Sequence, residues 1–202
     1  MKPAYELTAA REAGALVARH YRDGAESWEK SKGNPVTQAD LDADERIREI
    51  ITRSFPADGH LSEESIDDIS RLERSRVWIV DPIDGTREFT KQIPEFAVSI
   101  ALVVDERPVL GVVHNPIAAS GSLGYGVEKN GQPARLSNCG TLALARVLAS
   151  RSENDDGKLE PYTPLFGELC PMGSIAWKLA LVACGEADFN LSVKPKSEWD
   201  VC

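Results

Sequence analysis

In this 202-residue chain, the run Trp78-Ile79-Val80-Asp81-Pro82-Ile83-Asp84-Gly85-Thr86 most limits the possible fold. Val77 to Val80 is continuously apolar and β-branched or aromatic, the composition of a strand buried on both faces. The run stops at Asp81, a second carboxylate follows at Asp84, and Gly85-Thr86 opens a helix. The chain turns around Pro82, so both carboxylates can face one point, with the Ile83 carbonyl between them. A strand that ends this way offers oxygen ligands to a hard divalent cation and backbone N–H groups to a phosphate. Metal-assisted hydrolysis of a phosphate ester needs both.

The elements around this strand give a layered α/β (α+β) class. Leu7, Ala10, Gly14, Val17 and Tyr21 recur at spacings of three and four, which predicts an amphipathic helix over residues 3–22. Residues 24–36 are polar, broken by Gly33 and Pro35, and read as a loop or loose hairpin. A second helix starts near Thr37, where Thr37-x-x-Asp40 resembles a capping box with a shortened acid. Leu41, Ile47, Ile50 and Ile51 form its buried face, and Pro56 and Gly59 end it. Ser62-Glu63-Glu64-Ser65 is an acidic turn, and 66–75 is solvated. Ala97–Val104 and Val109–His114 form a hairpin. Asn130-Gly131 marks a turn between strands at 124–127 and 134–136. Leu144–Ala149 is a strand and 151–165 a long loop. Gly173-Ser174 opens a helix that Gly185 closes, and a short strand follows at 187–191. Helices, then an antiparallel sheet, then an αβ unit predict an N-terminal layer over 1–136 and a C-terminal layer over 137–202 within one structural unit.

Composition excludes several classes. A net charge of −9 lacks the basic footprint of a nucleic-acid-binding surface. It leaves room for a small phosphorylated substrate, because bound metal ions invert the sign of an acidic pocket. No long uncharged apolar run predicts a membrane span, and the first residues lack the apolar core of a secretory signal, so a cytoplasmic location is expected. Cys139, Cys170, Cys184 and Cys202 show no C-x-x-C spacing and are expected to be reduced, mostly buried thiols.

Each candidate site residue has a structural alternative. Asp81 and Asp84 could be a helix cap and a surface turn acid, but the buried strand before them and Gly85-Thr86 after them favour a metal. Glu63 and Glu64 read as a solvated turn or as carboxylates bridging to metals held by Asp81. Asp40 either caps its helix or serves as a proton acceptor acting with the Thr86 hydroxyl. Asp200 after Trp199 is unremarkable alone. His20, His60 and His114 are structural or exposed.

Taken in order, Asn34-Pro35-Val36-Thr37-Gln38-Ala39-Asp40, Glu63-Glu64, Asp81-Pro82-Ile83-Asp84-Gly85-Thr86, Phe96-Ala97-Val98-Ser99-Ile100-Ala101-Leu102, Gly173-Ser174 and Trp199-Asp200 resemble the lithium-sensitive, magnesium-dependent phosphatases of the inositol monophosphatase superfamily. The resemblance runs nearly end to end. It implies an αβαβ(α) sandwich of the sugar-phosphatase type, two or three magnesium ions, and a homodimer. It makes Glu63, Asp81 and the Ile83 carbonyl ligands of a first metal. Asp81, Asp84 and Asp200 become ligands of a second, with Glu63 also touching a third, weaker one. Thr86 with Asp40 would orient and deprotonate the attacking water. Asp84, Gly85, Thr86, Gly173, Ser174 and Asp200 would meet the substrate, and Glu63 joins the catalytic set.

Arg87-Glu88-Phe89 and Ser197-Glu198-Trp199-Asp200 lean toward the 3′(2′),5′-bisphosphate nucleotidase branch, whereas Ile93-Pro94 leans toward inositol phosphatases. The preferred substrate on this basis is 3′-phosphoadenosine 5′-phosphate, with an inositol or sugar monophosphate as the alternative and a cation-binding protein without turnover as a third. Lys178, Lys194, Lys196 and Ser174 are candidates for a second phosphate or the sugar. Family members continue past Trp-Asp, so the last layer is expected to be truncated at Cys202 and Asp200 to sit on an unanchored tail.

Overall fold

The computed structural model describes residues 5–118, 123–124, 128–129, 132–133 and 135–201. Helix α1 (Tyr5–Asp23) buries a stripe of small residues, Ala9, Ala10, Ala13, Gly14 and Val17. Small side chains let the neighbouring elements approach closely: a Cβ on Gly14 would run into the His114 ring. The polar stretch that follows is a hairpin, β1 (Ser27–Ser31) with β2 (Asn34–Thr37), turned at Gly33 with φ +73°. Helix α2 (Gln38–Ser54) starts at the expected capping box. Thr37 Oγ1 accepts the N–H groups of Ala39 and Asp40, and Asp40 Oδ2 accepts the Thr37 N–H at 2.8 Å.

Helices α1 and α2 pack on each other and on one face of a four-stranded sheet of order β3-β4-β5-β6. Its strands are β3 (Gly59–Ser62), β4 (Arg76–Asp84), β5 (Ala97–Val104) and β6 (Arg107–His114), and α3 (Thr86–Thr90) follows β4. Strand β3 runs parallel to β4 and the other pairs are antiparallel. The main core lies between these layers, with Val17, Ala43, Ile47, Trp78, Val80, Phe96 and Ile100 among its members. Three two-residue strands, β7 (Leu123–Gly124), β8 (Glu128–Lys129) and β9 (Gln132–Pro133), form a small antiparallel sheet. The turn expected at Asn130-Gly131, with residues 125–127 and 134 of its flanks, lies outside the described residues.

The second layer pair holds β10 (Arg146–Ser150), α4 (Arg151–Asp155), β11 (Glu168–Met172), α5 (Ile175–Ala183), β12 (Phe189–Leu191) and α6 (Glu198–Val201). Its sheet is parallel throughout, in the order β11-β10-β12. Helix α5 lies between the two sheets, touching β4, β5 and β6 as well as β10 and β12. The layers therefore alternate helix, sheet, helix, sheet. A second core of Ala97, Leu148, Trp177, Ala180 and Leu181 fills this junction.

Three expectations need correction. Residues 151–165 are not a continuous loop: α4 occupies the start and a 3-10 turn spans Thr163–Leu165. The Glu153 carboxylate is fully buried and accepts Ser192 Oγ at 2.6 Å and Val193 N–H at 2.8 Å, partners some 40 positions away that local pattern cannot reveal. No strand is expected at 168–172, where β11 runs; its Pro171 is tolerated because β11 is an edge strand. The thiols are not mostly buried: Cys139 is exposed, and Cys170 and Cys184 are half-buried.

Ile47 sits at the centre of the helix–sheet core with no exposed surface. Ile47→Ala is expected to lower unfolding stability by about 2–5 kcal/mol. Denaturant titration checks this, with the midpoint falling and the slope unchanged.

Candidate active site

Residues three apart on a regular strand point to opposite faces. Asp81 and Asp84 nevertheless face one cavity, because β4 carries an extra residue: Asp81 pairs with Ser99 and Asp84 with Ala97, so three steps on β4 oppose two on β5. The bulge resets the alternation. The strand thus runs on through Asp84 rather than stopping at Asp81. Gly85 then takes φ +102°, and a Cβ there would come within 2.8 Å of the Glu95 carbonyl oxygen, so the turn into α3 requires glycine.

Asp81 is 1% exposed and Asp84 7%. Asp81 Oδ1 accepts the Ile83 N–H at 3.1 Å, while Oδ2 is buried with no hydrogen-bond partner among the described residues. Asp84 Oδ2 accepts Ser174 Oγ and the Ala176 N–H, both at 2.6 Å. Asp200 Oδ2 accepts the Ser197 N–H at 2.8 Å. Each of the three carboxylates has an oxygen within 4.8 Å of the other two. Burial pushes the Asp81 carboxyl well above the usual range, and the charges of Asp84, Glu63 and Asp200 push it further. Burial also raises Asp84 to about 6, against the pull of its Ser174 and Ala176 bonds. Such a set is costly to bury as bare anions. An all-oxygen donor set with one unpartnered buried oxygen fits a hard cation such as magnesium.

Asp200 is not on a loose tail. Helix α6 packs on β4 and α5, and Glu198 Oε2 lies 3.4 Å from Arg71 Nη2. Glu63 lines the same cavity but stands outside the 4.8 Å group of three carboxylates. Its Oε1 is 3.3 Å from Lys30 Nζ, which also meets Glu64 Oε1 at 2.5 Å. Burial raises Glu64 to about 7, although Lys30 pulls it down. Lys30, on the exposed strand β1, is a site neighbour that no sequence signal separated from the other hairpin charges.

Asp40 makes the contacts that either reading would need. Its Oδ2 closes the capping box, and its Oδ1 accepts Thr86 Oγ1 at 3.0 Å. Thr86 Oγ1 also lies 3.0 Å from the Ile83 carbonyl oxygen, so its single proton has two acceptors. Burial raises the Asp40 carboxyl against the hydrogen bonds from Thr37 and Thr86.

The opposite wall comes from the second layer pair. Ser174, at φ +53°, caps α5 by accepting the Trp177 N–H, and Gly173 N–H donates to Glu95 Oε2 at 2.8 Å. A Cβ on Gly173 would overlap the Glu88 side chain. Glu95 also holds Arg151 through two bonds of 2.6 and 2.8 Å, and Arg151 Nε is 3.8 Å from Glu88 Oε1. Lys178 Nζ donates to the Met172 and Gly173 carbonyls, and burial lowers it to about 8. Of the second-phosphate candidates, Ser174 and Lys178 therefore brace this wall. Lys196 lines the cavity, whereas Lys194 pairs with Asp156 outside it. The cavity is about 250 Å³ and is lined by Glu63, Asp81, Ile83, Asp84, Gly85, Thr86, Gly173, Ser174 and Asp200. Asp40 reaches it through Thr86. Glu88, Arg151 and Ser152 also line it; no sequence signal marks Arg151 and Ser152, because their segment reads as loop.

The raised carboxyls fix a pH dependence. Folded pKa values above the unfolded carboxylate range mean that the folded state binds more protons between about pH 4 and 7. Without divalent cations, stability should therefore fall as pH rises through that window, the window set by Asp84 and Glu64. Magnesium should raise Tm more at pH 7.5 than at pH 5.5, since protons compete for the same oxygens. Thermal melts at both pH values, with and without magnesium, check this; equal magnesium shifts would contradict the carboxylate site.

The model of the inositol monophosphatase family matches residues 2–202. The Nus factor SuhB of Escherichia coli (strain K12) is 33% identical, over 96% of this chain and 76% of its own length. Inositol monophosphatase 3 of Solanum lycopersicum is 29% identical, over 96% and 78%. Among solved structures, the extragenic suppressor protein SuhB of Bartonella henselae superposes with TM-score 0.85 at 29% identity, over 98% of this chain and 80% of that one. An IMPase of Thermotoga maritima gives 0.83 at 29%, over 98% and 78%.

Proposed function

As the chain belongs to the inositol monophosphatase family, we propose that it is a magnesium-dependent hydrolase of small phosphate monoesters. The observation that carries this reading is Asp81: a fully buried carboxylate with one unpartnered oxygen, grouped with Asp84 and Asp200 beside the Thr86–Asp40 pair. Asp81, Asp84, Asp200 and the Ile83 carbonyl would hold two or three cations, with Glu63 joining once Lys30 yields it. Bound cations neutralise phosphate charge and make water a stronger nucleophile.

The remaining chemistry belongs to the chain itself. Thr86 Oγ1, already hydrogen-bonded to Asp40, orients the attacking water and accepts its proton while passing its own to Asp40. Asp40 suits this role because burial raises its affinity for a proton. The Gly85 and Thr86 N–H groups face the phosphate across the α3 start. Gly173 and Ser174 shape the side that receives the alcohol.

A polyol monophosphate such as inositol 1-phosphate is the first substrate reading. The cavity, about 250 Å³, lies below the ~300–1,000 Å³ of sites for drug-sized ligands and suits one ring and a phosphate. The names of the similar proteins point the same way. A second reading, 3′-phosphoadenosine 5′-phosphate, rests on Glu88 within Arg87-Glu88-Phe89, which lines the cavity beside Arg151. The charge of −9 supports a small substrate over a nucleic acid polymer. A cytoplasmic homodimer completes the proposal.

Phosphate release from the two substrates, with magnesium and then with added lithium, tests the reading. Faster lithium-sensitive release from inositol 1-phosphate is expected. Preference for the nucleotide would move the chain to the second reading, and no release from either would remove the enzymatic one. Asp81→Asn should lower turnover by more than about 100-fold, beyond the ~10–100-fold loss typical of an outer-sphere metal contact. Thr86→Ala should reduce kcat by about 100-fold or more with little change in KM; a pure rise in KM would contradict its role.

A further inference from the structure

Asp44 is a buried carboxylate that does not line the candidate active-site cavity. It lies one turn after Asp40 on the buried face of α2. Taking a carboxylate out of water is costly unless its oxygens are met. Here both are: Oδ1 accepts Ser62 Oγ at 2.5 Å and Oδ2 accepts Ser65 Oγ at 2.6 Å. Arg48, half exposed, stands farther away, 3.9 Å from Oδ2. Two hydroxyl groups therefore supply the close contacts, and hydrogen bonds to a charged acceptor are the short, strong ones.

The two serines flank Glu63-Glu64, so one carboxylate grips both ends of the acidic turn. The start of the turn is also tied to β4. Ser62 pairs with Val80 in parallel register, and the Glu63 N–H donates to the Val80 carbonyl at 3.3 Å. The next residue of β4 is Asp81. Ser62 Oγ, besides donating to Asp44, accepts the Glu64 N–H at 3.3 Å, which links the clamp to the backbone of the turn. The side chains show the result. Glu63 lines the active-site cavity, and the Oε1 atoms of Glu63 and Glu64 converge on one ammonium, Lys30 Nζ, at 3.3 and 2.5 Å. Adjacent carboxylates on an untethered turn repel each other and spread into water. Convergence on a single cation needs a backbone that is held.

We propose, on the reading of this cavity as a magnesium site, that Asp44 is a positioning residue of the cation centre. Through Ser62 and Ser65 it fixes the backbone of Glu63, so that this carboxylate is turned to the cavity and adds its oxygens to those of Asp81. Helix α2 then serves the site twice, with Asp40 at Thr86 and Asp44 one turn on at the acidic turn.

Calorimetric titration of the intact chain with magnesium at pH 7.5 reads this role directly, without turnover. Ser65→Ala is expected to weaken the apparent magnesium affinity about 10-fold, and Asp44→Ala about 10–100-fold, the range for residues that orient a metal ligand. Ile47→Val is the control: it loosens the core under the same helix, lowers the metal-free Tm and leaves the turn untouched, so its magnesium affinity should match the wild type. In a Glu63→Gln background, Ser65→Ala should cost less than about 2-fold more, because the carboxylate it positions is already gone. Metal-free melts show which variants fold; if Asp44→Ala does not, Ser65→Ala and its pairing with Glu63→Gln decide alone. An unchanged affinity in Ser65→Ala, an equal loss in Ile47→Val, or the same loss with and without the Glu63 carboxylate would overturn the proposal. A wild-type chain that binds no magnesium would remove the cation reading and this role with it. Wild-type binding that the variants leave unchanged would remove only the role of Asp44.

Discussion

Three carboxylates, Asp81, Asp84 and Asp200, lie within 4.8 Å of one another, two of them with almost no accessible surface. Burial and mutual repulsion both oppose this arrangement. It persists because the surrounding fold over-determines it. The β4 bulge sets the direction of Asp81 and Asp84, the α5 start clamps Asp84 with two hydrogen bonds, and α6 is pinned by its packing on β4 and α5. The opposition is electrostatic, and a bound divalent cation would relieve it. On the proposed function, structural stability and cation affinity would be two views of one free energy at this point in the molecule.

How much of this was legible in the sequence depended on how local each cause is. The α2 capping box, the β5–β6 hairpin and the Ser174 cap of α5 are set by residues within four positions of one another, and the structure carries all three. The buried strand at Val77–Val80 was equally plain, because a continuous β-branched run has few other uses. The bulge was not: it exists only relative to β5, and nothing in Asp81-Pro82-Ile83-Asp84 alone announces an extra residue. Helix α4 and strand β11 were hidden for the same reason. Glu153 earns its helix by binding residues 192–194, and β11 is defined by its parallel register on β10.

That the predicted site residues gather around one cavity follows from several ordered motifs taken together, not from any single one. Asp200 shows the limit. A carboxylate near a chain end reads as a frayed tail, yet Arg71–Glu198 and the contacts of α6 hold it in place. Lys30, Glu95 and Arg151 lay beyond reach. Their importance lies in whom they touch, namely Glu63, Gly173 and Glu88, and none of those pairings is near in sequence.

The Asp84 clamp has a wider meaning. Most of the carboxylates that would hold cations come from one sheet and its loops, while much of the wall that would meet the alcohol comes from the other. The wall from the second sheet can therefore change without moving most of these carboxylates. The bonds from Ser174 and Ala176 to Asp84 are where that freedom stops. Any change that rotates the start of α5 also turns the Asp84 carboxylate. The helix entry is therefore a support that both walls of the cavity share, and a substitution that shifts its register would disturb both.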